Sequence, residues 1–168
     1  KPDNVLLDPE GAPVLIDFGV AKLLDGETQA ALTRTGQLLG TPAYMAPEQT
    51  HRKGKTPDAR ADVYSLGATL FALLTGVAPF DEETLVAMLA AVATRAPVPP
   101  SSLRPGVPPE LDRVVRGCLA KEPANRYPSA QALADDLERF LAGQPLAGVT
   151  GDLPEPPTRR GPGPAALG

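Results

Sequence analysis

Residues 1–19 read KPDNVLLDPEGAPVLIDFG. Two short apolar runs, Val5 to Leu7 and Val14 to Ile16, flank DPEGAP, a segment dense in turn-forming residues. That pattern predicts a β-hairpin. Asn4 and Asp17 stand just outside the two strands, so antiparallel pairing brings both oxygen-bearing side chains to one edge. An amide oxygen and a carboxylate converging there suit a hard cation such as Mg²⁺, which takes oxygen ligands and completes its shell with phosphates and water.

Working outward from the hairpin, residues 19–40 are rich in Thr, Gly and Leu and show no convincing periodicity. Loops of that length inside a domain are usually functional or disordered. Helical signal begins at Asp62. DVYSLGATLFALLTG (62–76) is apolar nearly all round with Gly76 as its C-cap, which predicts a central buried helix. DEETLVAMLAAVAT (81–94) is expected to carry its acidic residues in the first helical turn, where they suit the dipole. In PPELDRVVRGCLA (108–120), Leu111, Val114, Val115, Cys118 and Leu119 make one apolar stripe. Ser129 is the expected N-cap of AQALADDLERFLAG (130–143), with Leu133, Leu137, Phe140 and Leu141 as the stripe and Gly143 as the stop. The expected fold class is mainly α with a small β-hairpin (α+β).

Composition narrows the function. The chain is 42% hydrophobic but has only 4% aromatics and no Trp, so its core is built from Leu, Val and Ala. A net charge of −4 argues against a general nucleic-acid binder. One cysteine, Cys118, forms no internal disulfide, which fits a reducing compartment. The apolar window 66–80 is shorter than the roughly 20 residues a bilayer span requires. The tail GDLPEPPTRRGPGPAALG (151–168) offers little to pack, so the folded part is expected over 1–142 and a Pro/Gly-rich linker or disordered tail over 143–168.

Four motifs then stand in order: KPDN (1–4), DFG (17–19), GTPAYMAPE (40–48) and DVYSLG (62–67). Singly each is weak; together they resemble the eukaryotic-type protein kinase family, specifically the C-terminal part of its catalytic domain. KPDN resembles the second half of the catalytic loop, DFG the metal-binding loop, APE the end of the activation segment, and DVYSLG the start of the central helix.

The resemblance implies ATP and Mg²⁺ as cofactors, with Asn4 and Asp17 as metal ligands and Lys1 beside the transferred phosphate. Leu6 is the implied floor for the adenine ring, and Thr41 the implied anchor of catalytic loop and acceptor site. Lys1 together with GTPAY resembles the Ser/Thr branch, which implies protein substrates with Ser or Thr acceptors. Thr33 and Thr35 resemble the T-x-T of bacterial activation loops. Phosphate on either would add about −1.5 to −2 charges and order the loop through Arg. A kinase dimer that phosphorylates itself fits the same reading. Glu48 and Arg126 are implied to form a buried ion pair, and Asp62 to accept N–H bonds from the catalytic loop. His51, in a basic solvated loop, is assigned no catalysis.

Part of the family pattern has no counterpart in the 168 residues. There is no His-Arg-Asp, whose Asp accepts the substrate proton, and no G-x-G-x-x-G run. The expectation is a C-lobe piece of a Ser/Thr kinase, lacking the N-lobe and the first C-lobe helices and inactive by itself. The alternative is a non-catalytic, pseudokinase-like binding module. Retention of Lys1, Asn4, Asp17, Thr33 and Thr35 favours the first, because a scaffold has no chemical need of metal ligands. Without the missing helices, the central helix around Leu66 to Leu74 is expected to expose apolar surface. The expected location is cytoplasmic, with a membrane-anchored parent left open.

Overall fold

A computed structural model of the chain describes residues 1–16, 42–50 and 58–148. Asp17, Thr33, Thr35, Thr41 and His51 lie outside the described residues.

A 3₁₀ turn at Pro2–Asn4 leads into β1 (Val5–Leu7), which pairs antiparallel with β2 (Pro13–Leu15) in the register Val5↔Leu15, Leu6↔Val14, Leu7↔Pro13. β2 therefore starts and ends one residue earlier than the apolar run suggests. The turn is fixed by Asp8, whose Oδ1 accepts from the backbone N–H of Glu10 (3.0 Å) and of Ala12 (2.7 Å). Gly11 adopts φ +85°, a conformation that an L side chain resists.

Two further 3₁₀ turns, Pro42–Tyr44 and Pro47–Gln49, precede the helices. These are α1 (Arg60–Thr75), α2 (Leu85–Thr94), the one-turn α3 (Pro100–Leu103), α4 (Pro109–Cys118) and α5 (Ala130–Leu141). The helix α1 is the hub: it touches the turn at Pro2–Asn4, the turn at Pro42–Tyr44, α3, α4 and α5. Gly67 lets α1 and α4 approach so closely that a Cβ there would lie 2.2 Å from Cβ of Cys118. Gly76 closes α1 at φ +82°, with its N–H donating to the carbonyl of Ala72.

Three apolar clusters surround this hub. Tyr64, Ala68 and Phe71 of α1 meet Val115 and Leu119. Val63 meets Val114, Cys118, Tyr127 and Leu133. Met88, Ala91 and Val92 of α2 meet Ala43 and Phe80. The whole α4 stripe expected from the sequence is buried.

Three expectations are corrected. α2 starts at Leu85, because Thr84 is extended and its Oγ1 caps the helix by accepting from Ala87 N–H. Asp81, Glu82 and Glu83 therefore precede the helix, and Glu82 pairs instead with Arg95. In α5, Leu141 is 82% exposed, so the stripe fades at its end. Finally α1 is not buried all round: Leu66 and Leu73 are exposed, as are Leu6, Leu7, Val14, Leu15 and Ile16 of the hairpin. That exposure matches the apolar surface expected around Leu66 to Leu74.

Packing continues past α5, where Leu146 joins the cluster around Val63 and Tyr127. Among the described residues no helix is long and apolar enough to cross a membrane.

Candidate active site

The hairpin edge is built by backbone pairing. The N–H of Asn4 donates to the carbonyl of Lys1 (2.9 Å), closing the 3₁₀ turn. The carbonyl of Asn4 in turn accepts from Ile16 N–H (3.1 Å). This bond extends the ladder by one position beyond Val5↔Leu15, so Asn4 sits opposite the residue that immediately precedes Asp17 in the chain. Lys1 Nζ lies 3.4 Å from Asp3 Oδ2, a solvent-exposed pair that contributes little stability. Leu6 faces Val14 across the ladder and is 51% exposed, so it is available as an apolar surface rather than consumed by the core.

The turn at Pro42–Tyr44, which directly follows Thr41, is held against α1 and α2. Ser65 Oγ of α1 donates to the Tyr44 carbonyl (2.8 Å), and Ala43 is fully buried in the α2 cluster. Burial, followed by the carboxylate of Asp3, pushes the Tyr44 hydroxyl above its usual value.

Glu48 and Arg126 form a bidentate pair, with Nη1–Oε1 and Nη2–Oε2 both at 2.7 Å. The remaining guanidinium hydrogens go to the carbonyls of Ala120, Arg60 and Lys121. The Arg126 side chain has no solvent exposure and Glu48 retains 15%. Arg126 also lies over the Tyr64 ring at 5.0 Å. Asp62 is exposed, and its side chain forms no hydrogen bond among the described residues.

Three polar positions carry weight that the sequence reading did not assign. Ser65 has just been described. Lys121 Nζ donates to the Val92 carbonyl (2.8 Å) and sits over the Phe80 ring at 4.5 Å, so it ties the end of α2 to the core. Burial, then the cations Arg126 and Arg95, lower its ammonium to about 7. Asp136, inside α5, is 1% exposed and accepts from Tyr127 Oη (2.9 Å), Ala147 N–H (2.7 Å) and Gly148 N–H (2.8 Å). Burial alone would raise this carboxyl, but those donors and Arg139 hold it below its usual value. The available signal was an acidic residue three positions from Leu133, on the apolar side of the stripe.

Chemically, Asn4 carries an amide oxygen and Lys1 an ammonium in the turn at this edge, and Asp17, which follows Ile16 in the chain, lies outside the described residues. The oxygen donors are hard, as Mg²⁺ requires.

A family model described as protein kinase domain matches residues 1–137. The chain is 43% identical over 144 residues to the serine/threonine-protein kinase PknB of Mycolicibacterium smegmatis, an alignment covering 86% of this chain and 23% of that protein. It is 42% identical over 142 residues to the tyrosine-protein kinase MasK of Myxococcus xanthus, covering 84% of this chain and 21% of that one. It is 44% identical over 146 residues to the serine/threonine-protein kinase Pkn1 of Myxococcus xanthus, covering 84% and 20%. The chain thus spans about a fifth of the length of these curated relatives.

Proposed function

The chain belongs to the protein kinase domain family, and on that premise we propose that it is the C-lobe part of an ATP-dependent kinase acting on Ser and Thr hydroxyls of proteins. The observation that carries the reading is the bond from Ile16 N–H to the Asn4 carbonyl, which brings Asn4 level with the strand end that leads into Asp17. Asn4 and Asp17 would hold Mg²⁺, which, when bound with ATP, neutralises charge on the phosphates during transfer. Lys1 adds a cation beside the transferred group, and exposed Leu6 offers an apolar face to the adenine ring. The turn at Pro42–Tyr44, clamped by Ser65, holds the chain next to Thr41 rigid enough to position an acceptor hydroxyl. Phosphate on Thr33 or Thr35 would switch the loop between Asp17 and Thr41.

The relatives' names include both Ser/Thr and tyrosine kinases. Lys1 and GTPAY support the Ser/Thr class. The proton acceptor and the phosphate-covering glycines have no counterpart in the 168 residues, so the chain alone is expected to transfer no phosphate. The test uses radiolabelled ATP with the protein extended through an upstream lobe, followed by phosphoamino-acid analysis. Phosphoserine and phosphothreonine that vanish in Asn4→Ala and Asp17→Ala are expected. Phosphotyrosine alone would overturn the substrate class, and label unaffected by either substitution would overturn the metal assignment.

A further inference from the structure

Away from the hairpin edge, α4 and the segment leading into α3 enclose an open cleft of about 170 Å³. Pro97, Val98, Pro99, Pro100 and Val115 make its walls largely apolar. Proline fixes φ, and Pro99 sits at φ −60°, ψ 137°, so the wall is preformed and loses little entropy when a ligand enters. A space of this size is comparable to one that takes a benzene ring, and so accepts one Leu or Phe side chain.

The polar part of the lining comes from α4. Asp112 is fully engaged: Oδ1 accepts from Ser101 N–H (2.9 Å) and Oδ2 from Ser101 Oγ. Both of its oxygens are thus held by α3, although its charge remains at the lining, and among the described residues neither Arg113 nor Arg116 forms an ion pair. Arg113 is exposed at the rim. Arg116 Nε is shielded from solvent and has no hydrogen-bond partner. A buried donor without an acceptor keeps its desolvation penalty unrecovered, and a hydrogen-bond acceptor entering the cleft would recover it.

We infer that this cleft docks an acidic peptide segment of a partner protein, one apolar side chain filling the space between Val98 and Val115 and an adjacent carboxylate meeting Arg113 and Arg116. These two guanidiniums, which form no ion pair among the described residues, stand three residues apart on one helix face, and their planar forks match carboxylates. The open side of the cleft admits a side chain still attached to its backbone. This site is independent of the catalytic reading, since none of its residues belongs to the hairpin edge.

The experiment is an NMR titration of the isotope-labelled 168-residue chain with acetyl-Asp-Leu-Glu-amide, acetyl-Lys-Leu-Lys-amide and hexanoate. Saturable shifts of the Val98 and Val115 methyls are expected with the acidic peptide, weakening as salt rises. Arg113→Glu is expected to raise Kd at least tenfold with no change in Tm, because Arg113 is exposed and forms no ion pair among the described residues. Val98→Trp, which fills the cleft, is expected to abolish the shifts. No saturable binding of the acidic peptide, equal binding of the basic one, or unchanged affinity in Arg113→Glu would overturn the proposal. Hexanoate binding as tightly as the peptide would overturn it in favour of a small-acid site.

Discussion

Arg126 places all five of its guanidinium hydrogens, two of them on Glu48 at 2.7 Å each, across 78 residues of sequence. The pair joins the turn at Pro47–Gln49 to the segment between α4 and α5. Glu48→Ala leaves the guanidinium buried without its counter-charge, and a loss of about 3–5 kcal/mol is expected in urea unfolding. Arg126→Lys keeps the charge but cannot reproduce the fork, so it is expected to lose most of the same energy. A double-mutant cycle should be strongly non-additive, since each single change already breaks the pair. Additive losses would mean that the two residues act separately.

Close contact at Gly67 makes a second expectation sharp. An added Cβ would meet Cβ of Cys118 at 2.2 Å, so Gly67→Ala must push α1 and α4 apart. Overpacking of this kind costs about 1–3 kcal/mol. Cys118→Ala in the same background should give no rescue, because the clash is with Cβ rather than the sulfur, whereas Cys118→Gly should restore part of the loss. Thermal melts of the four proteins check the order.

Asp136 holds the chain beyond α5. Asp136→Ala strands the Tyr127 hydroxyl and two backbone N–H groups, and a loss on the order of 3 kcal/mol is expected. Proteolysis near residues 144–148 should accelerate in the variant. Since the carboxyl is held below its usual value, its contribution is present above the ordinary carboxylate range and is lost as pH falls through the lowered value. The stability gap to Asp136→Asn should therefore narrow in acid.

Lys121 gives a pH slope of the same sign, although here the charged form is the one that folding disfavours. Its ammonium is lowered from 10.5 to about 7, so between those values the unfolded chain holds a proton that the folded chain has released. Stability attributable to this lysine therefore rises with pH from 7 towards 10, by at most about 1.4 kcal/mol per pH unit, reduced by solvent screening at this half-buried group. The difference in unfolding free energy between the native chain and Lys121→Met should climb over that range. A flat difference would show that the lysine stays charged against the Val92 carbonyl and the Phe80 ring.

Much of the architecture was legible locally. Hairpin, Gly76 cap, Ser129 cap and the α4 stripe all follow from period, turn chemistry and capping, which act within a few residues. The N-terminus of α2 was misread because acidic residues favour a first turn, while Thr84 offered a side-chain cap slightly later. The Glu48–Arg126 pair was legible only through resemblance, since no local rule links residues so far apart. Asp136 was missed because its partners, Tyr127, Ala147 and Gly148, come from separate segments.

By itself the sequence determined the order of elements and the ordered motifs that mark the kinase domain family, because periodicity and motif spacing are properties of neighbouring residues. Tertiary structure alone decided which polar groups are buried and satisfied. Ser65, Lys121 and Asp136 look like ordinary solvated residues in the chain, yet each becomes a tie between segments. The physical reason is desolvation: a polar group's role is set by the donors and acceptors that folding brings to it once water has been removed.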